Sequence, residues 1–507
     1  MSTLTALARA EAVAAGRAQR ITTVRHLHVA DRPLVLIPLS MAGEANAPLA
    51  ALVGDDVAAP RLLLVPQPRN RDQRFGFAAE LAEVLLPYLD SFRGVAEPVA
   101  VNRGREVRYR YADAPQVLVP NPAGIGFVRM FGRSTRFRRT DGDYPVRPDV
   151  PLLGRWLTFL ADRAEHPGSG MLLAMTDALG LHWATGQSAL EDAHLAALMA
   201  WIDPQEGLTG ADAATIAEDP LRWPPAGPVT DPTFDNEVLA PATAGYEEAA
   251  AGGDEARRER ARGVLEEAVR SQLTPTWELM WRGVALLRQL PVGSRVAGRW
   301  AEDRDVFSTF ALYVDGGGHP QPRRDGAVNA AHRLHRLERA SQSYAVQRAY
   351  DDPLVMADHR LTGEAFVGEV TLADPHRIDD SGKRRVLRPR IQVTTADVVL
   401  VPVGAVLHSP GRPGQQARVV FVTPDAAAGR TDVVLELSGG LGRSLSPAPG
   451  SVPEVGDRLC YTTLSDSFMP PGEFPSRDET PWTHGGPPKA YEEPAEPSAD
   501  DAREEWA

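Results

Sequence analysis

One cysteine, Cys460, stands in a chain of 507 residues. No pair of thiols can staple such a chain, and zinc ribbons or CxxC redox sites are impossible. Its folds must therefore be held by apolar burial. A hydrophobic content of 43% against 24% charged residues can supply that burial in a globular protein. At this length about two to four domains are expected.

Lysine is nearly as scarce, since Lys383 and Lys489 are the only two among 54 basic residues. A Walker A loop needs a phosphate-binding lysine after a glycine-rich turn, and neither lysine has that setting. Schiff-base and pyridoxal chemistry need a buried lysine, whereas Lys383 follows a polar turn and Lys489 lies among prolines. No GxSxG elbow, HExxH helix or dinucleotide fingerprint is present. No cofactor is expected, and binding is favoured over catalysis. No run approaches the roughly 18 apolar residues of a membrane span. The alanine-rich start carries Arg9 and Glu11 and has no apolar core, so a cytoplasmic protein without a secretory signal is expected.

Charge is unevenly spread. Residues 466–507 carry a net charge of -8, whereas residues 61–148 carry +6, with fifteen arginines against nine acids. An acidic tail and a basic face on one chain keep a polyanionic partner open despite an overall charge of -13.

The hydrophobic pattern predicts an α+β multidomain protein. Residues 1–148 read as a mixed α/β domain with the basic face. Buried strands are expected at 33–39 and 61–65 and further strands at 106–111, 116–119 and 126–131, with a helix over 77–89. Residues 149–202 read as a helical segment that Asp149 opens as N-cap, with a capping box at Ser188 and Glu191. Residues 203–241, rich in Pro, Asp and Gly, read as a linker or long loop. A helical domain follows over 242–353, broken at Pro275, with Leu334, Leu337, Tyr344 and Ala345 facing inward on its last helix. From 362 to 465 six short β runs, at 366–370, 390–394, 398–403, 418–422, 433–437 and 458–462, predict a small closed barrel. Residues 466–507 are acidic and proline-rich, and a disordered tail is expected.

Gly368-Glu369-Val370 at the start of the barrel segment and Pro453 to Tyr461 at its end carry a family likeness. This region, about a fifth of the chain, resembles the small OB or SH3-like β-barrels that accompany superfamily 1 helicases. The resemblance implies a partner of a nucleic-acid motor; no ATPase motif of a motor stands in this chain.

The main candidate site is the run 127–139, where Arg129, Arg133, Arg136, Arg138 and Arg139 interleave with Phe127, Phe131 and Phe137. Guanidiniums fork onto phosphates and aromatic faces stack on bases, which is the chemistry of nucleic-acid binding. Arg108 and Arg110 repeat the theme on a strand, and Lys383, Arg384 and Arg385 offer a basic hairpin on the barrel. A second, weaker seat for an anion is the loop Arg69, Arg71, Arg74 at a helix start. Set against all of these is the plainer reading that the arginines pair with nearby acids. The histidines give an alternative: His319, His332 and His335, or His26 and His28, as ligands of a metal-dependent hydrolase.

The leading expectation is a non-catalytic nucleic-acid-binding adaptor that works with a separate ATPase, helicase or nuclease and not with a membrane. The alternatives are the metal-dependent hydrolase and a scaffold with no nucleic-acid role.

Overall fold

The computed structural model describes residues 2–43, 47–101, 104–220, 222–225, 227–382 and 384–466. The acidic tail and Lys383 lie outside the described residues. The chain divides into two compact units, one built around residues 25–341 and the other holding residues 342–466 with residues 22–24.

The first unit is organised by a five-stranded mixed sheet. Its strands are β1 (Leu34–Ser40), β2 (Pro48–Gly54), β3 (Arg61–Leu64), β6 (Val117–Val119) and β7 (Leu172–Ala174). The hairpin β4 (Ala96–Val101) and β5 (Glu106–Tyr111) stands apart as its own antiparallel pair. Sheet order is β3-β2-β1-β6-β7, antiparallel through β3, β2 and β1 and parallel from β1 onward. Both β1 and β2 are buried along their whole length; β2 is not among the strands the sequence predicts.

Alternate side chains enter two separate cores. Leu34, Leu36, Ala51 and Val53 pack with α1 (Arg71–Asp90), α2 (Pro122–Thr135), α3 (Asp149–Ala164) and part of α5 (Val296–Asp315). Val35, Ile37, Leu39, Ala50 and Leu52 face α4 (Glu255–Arg288) and the helices Met175–Gly180 and Leu195–Ile202. The result is a helix–sheet–helix sandwich. Residues 149–202 and 242–341 are therefore continuations of the first unit and not a separate helical body, because their apolar stripes find their complement on this one sheet.

Several local expectations are corrected. Residues 126–131 are not a strand; they lie in α2, capped by Asn121, whose side chain accepts from Gly124 N at 3.2 Å. The apolar residues Phe127, Val128 and Phe131 have helical spacing and bury one face. Asp149 is the first residue of α3 and not its N-cap, and Pro148 precedes it. Ser188 and Glu191 do close a capping box, on the short helix Ala189–Asp192. The 203–241 stretch holds a further helix, Gly210–Glu218, with its own box between Thr209 and Asp212.

Pro275 does not break α4. It removes one donor and crowds a carbonyl, a cost of about 3 kcal/mol. Leu265, Val269, Leu273, Trp277, Met280, Val284 and Leu287 bury along the same helix. At about 1.5–3 kcal/mol for each fully buried side chain, that stripe outweighs the proline several times over.

Helix α6 (Ala327–Asp351) leaves Leu334 and Ala345 exposed, with Leu337 and Tyr344 half-buried, and buries Val346 and Ala349 instead. Pro353 opens a new helix, α7 (Pro353–Leu361), capped by Asp352.

The second unit is a closed barrel of six antiparallel strands: β8 (Ala365–Asp374), β9 (Arg390–Thr395), β10 (Val406–His408), β11 (Gln416–Asp425), β12 (Arg430–Ser438) and β13 (Arg458–Thr462). Their order is β8-β9-β12-β11-β10-β13, and β13 returns to pair with β8. Phe366, Val370, Val393, Leu407, Leu435 and Tyr461 fill it. Gly368 is required where β8 crosses β9, since a Cβ there would meet Val393 Cγ1 at 2.5 Å and Thr394 O at 2.6 Å. Residues 398–403 are not a strand. Pro402 lacks a ladder donor, Leu400 and Val403 are exposed, and the short β10 pairs instead.

Burial sets a pH dependence in the first unit. His28 stacks on Trp300 with ring centroids 3.9 Å apart, and burial lowers its pKa from 6.5 to about 4. His166 and His194 are lowered by burial as well. Below pH 6.5 the unfolded chain protonates His28 where the folded chain refuses the proton, so the contribution of His28 to stability falls as pH drops from about 6.5 toward 4. Melting temperature should decline across that window, and His28→Gln should flatten the decline. An unchanged slope in the variant would remove His28 from this account.

Candidate nucleic-acid interface

Arg129 and Arg133 stand one turn apart on helix α2, and its C-cap residue Arg136 follows on the same side. That face opens into a cleft of about 1070 Å³ within the first unit. Its other walls are Asp162, Arg163, Glu165 and His166 from the end of α3, residues 321–325, and Asn329, His332, Arg333 and Arg336 from the first turns of α6. Eight arginines and two histidines line the cleft against three acids.

The acids are already engaged. Glu165 takes Arg129 at 2.8 Å and Arg333 at 2.5 Å, while Arg333 also reaches Asp162 at 3.2 Å and Asp325 at 3.6 Å. Arg163 is held by buried Asp303 at 2.6 Å. Arg133, Arg136, Arg324 and Arg336 have no carboxylate partner among the described residues. The cleft therefore keeps a surplus of positive charge.

Arg136 is 4% exposed, deeper than an arginine usually lies. Its Nε donates to Gln321 O at 3.0 Å and Nη2 to Pro322 O at 3.1 Å, while Nη1 is buried without an acceptor among the described residues. Burial, reinforced by Arg133 and Arg323, lowers its pKa to about 10. An unsatisfied buried donor costs about 1–3 kcal/mol, more when charged. The close crossing of α2 and α3 fixes this residue: a Cβ on Gly154 would meet Arg136 Cα at 2.6 Å.

The expected arginine track does not exist as a single surface. Arg138 turns away to donate to Ser134 O at 2.9 Å and lies 5.0 Å over the Phe75 ring, and Arg139 pairs with Asp141 at 3.3 Å. Both are absent from the cleft wall. Phe137 is covered by the guanidiniums of Arg136 at 4.8 Å and Arg323 at 5.1 Å, which occupies a ring expected to stack on a base.

The other arginine sites serve the fold. Arg108 pairs with Asp305 at 2.7 Å, and Arg110 with Glu97 at 2.7 Å and with Ala301 O at 3.3 Å, so they pin the β4–β5 hairpin to α5. The anion seat at the start of α1 is filled by the protein itself. Asn70 accepts from Asp72 N at 3.0 Å and Gln73 N at 3.2 Å. Arg71 binds Asp72 and Tyr144 O. On the barrel, Arg377 and Arg390 share Glu436 at 2.7 and 3.0 Å, while Arg384 and Arg385 remain exposed at the hairpin tip; Lys383 lies outside the described residues.

The histidines do not assemble a metal site. Among the described residues no three His, Cys, Asp or Glu side chains converge to hold an ion. His332 lines the cleft, His335 does not, and the His319 carbonyl accepts from Tyr313 Oη at 2.8 Å. His26 and His28 lie outside any strand. The His26 amide donates to His182 Nε2 at 3.0 Å, and His28 stacks on Trp300. The thiol of Cys460 is half-buried, and burial raises its pKa to about 11, so it is a poor nucleophile.

Missed in the sequence were Arg163, Arg323, Arg324, Arg333 and Arg336 as members of the cleft. The spacing Asn329, His332, Arg333, Arg336 on one helical face was the available signal. No protein-family model, curated protein or solved structure matches this chain.

Proposed function

We propose that this protein is a non-catalytic nucleic-acid-binding accessory subunit that acts beside a separate ATPase, helicase or nuclease, and that the arginine cleft takes the phosphate backbone. The observation that carries the reading is the unmatched charge of the cleft, eight arginines against three acids that are already bound to two of them. Such a site attracts polyanions and is poor at discriminating among them. The second half of the reading rests on the resemblance of residues 362–465 to helicase-associated barrels, a segment that forms a closed six-stranded barrel.

The scaffold alternative draws support from Arg108, Arg110 and Arg139, which sit in internal ion pairs. A retardation assay with the whole protein separates the two. If about five phosphates are neutralised, affinity for a mixed-sequence single strand should fall about a hundred-fold between about 50 and 200 mM salt. Binding that ignores salt, or no binding at the lower concentration, would leave the scaffold reading in its place.

A further inference from the structure

The wall of the cleft has a chemical bias that charge alone does not describe. Among the described residues that line it there is no Phe, Tyr or Trp. The one nearby ring suited to stacking, Phe137, already lies beneath two guanidiniums. Amide and carboxylate groups that could read base edges are few as well. Gln321 Nε2 is committed to Arg155 O at 2.8 Å, and Asp162 and Glu165 are committed to Arg333. Most of the charge that faces the cavity is guanidinium: exposed Arg133, Arg323, Arg324 and Arg336 stand beside Asn329 and His332, and the buried Nη1 of Arg136 lacks an acceptor among the described residues.

We propose that this cleft recognises closely spaced phosphates and nothing else of its ligand, gripping them through Arg133, Arg136 and Arg323 without base contact. The inference rests on the nucleic-acid reading for the identity of the ligand but not for its chemistry. Two sources carry that chemistry: the backbone of a nucleic-acid strand and an inorganic polyphosphate. A phosphate oxygen among these three groups would supply the missing acceptor of Arg136 and relieve the mutual repulsion of the cluster. Forked guanidinium donors suit phosphate oxygens, and the size of the cavity suits a few phosphates better than a long duplex track.

The test uses the full chain and three probes in a fluorescence-anisotropy competition: a mixed-sequence oligonucleotide, an abasic oligonucleotide with the same number of phosphates, and inorganic polyphosphate of similar length. Ordinary and abasic strands should bind within about threefold of one another, since stacking contributes nothing. Polyphosphate should displace both. Arg133→Gln with Arg323→Gln should weaken all three by about tenfold or more, as two phosphate contacts are lost. Arg136→Lys tests the anchor directly, and because that residue also holds residues 321–322, the double variant keeps the proposal testable if Arg136→Lys fails to fold. An ordinary strand that binds tens of times better than the abasic one would overturn the inference and leave the nucleic-acid reading standing. Polyphosphate binding without strand binding would overturn that reading and leave the phosphate chemistry standing. No binding by any probe would overturn both.

Discussion

Changing Arg133, Arg324 and Arg336 together to glutamate is expected to abolish nucleic-acid binding at moderate salt while leaving the melting temperature within a few degrees of wild type. The three side chains are exposed on the cleft wall and hold no carboxylate among the described residues, so the fold does not depend on them. Their reversal turns a wall with five positive charges in excess into one with a single negative excess, histidines taken as neutral. Each neutralised phosphate lost should shallow the salt dependence for a single strand by about 0.7 in logarithmic slope. The contrasting pair Arg129→Glu and Arg333→Glu should cost stability as well, because those residues hold Glu165 and Asp162. If the triple variant binds a strand as tightly as wild type, the cleft is not the interface.

Asp303→Ala is expected to be the most damaging single change in the first unit. Asp303 is fully buried and accepts from Arg163 Nη2 at 2.6 Å, Ser169 Oγ at 2.8 Å and Gly170 N at 2.7 Å. Removing the carboxylate strands a guanidinium and two neutral donors at once. Breaking one side of a buried pair in this way costs about 3–5 kcal/mol. For a body of this size the melting temperature should fall on the order of 10 °C. Asp303→Asn keeps the shape and one acceptor and should lose less. Because Arg163 also lines the cleft, the alanine variant should weaken strand binding as well, beyond what residual unfolding explains. A melting temperature unchanged by Asp303→Ala would show that water or another group serves Arg163 equally well.

Much of the fold was legible because burial imposes local patterns. Strands β1, β3 and β6 announce themselves as apolar runs bounded by turn residues, and the barrel as short runs at even spacing. The site was less legible. Arg129, Arg133 and Arg136 are visible as a cluster, but strand alternation would set Arg136 opposite Arg129 and Arg133, whereas the helix and its C-cap bring all three to one cleft. Periodicity separates the two poorly over the few residues between Phe127 and Phe131. Arg138 and Arg139 lie past the end of that helix and go elsewhere.

The sequence by itself determined which chemistries are closed to this protein, since one thiol cannot build a zinc ribbon or an internal disulfide and neither lysine follows the glycine-rich turn of a Walker loop. It also determined the barrel and the basic character of residues 61–148, because composition and short-range alternation act within a few residues of one another. Which arginines serve the fold and which are left for a ligand was decided only by tertiary structure. An arginine is consumed by whichever acid or carbonyl the packing brings to it. Arg108 meets Asp305 across almost two hundred positions, and Arg136 meets the carbonyls of Gln321 and Pro322 at a similar remove. Local sequence carries no trace of partners that distant, and the cleft exists because α2, α3 and α6 bring more guanidinium to one place than carboxylate.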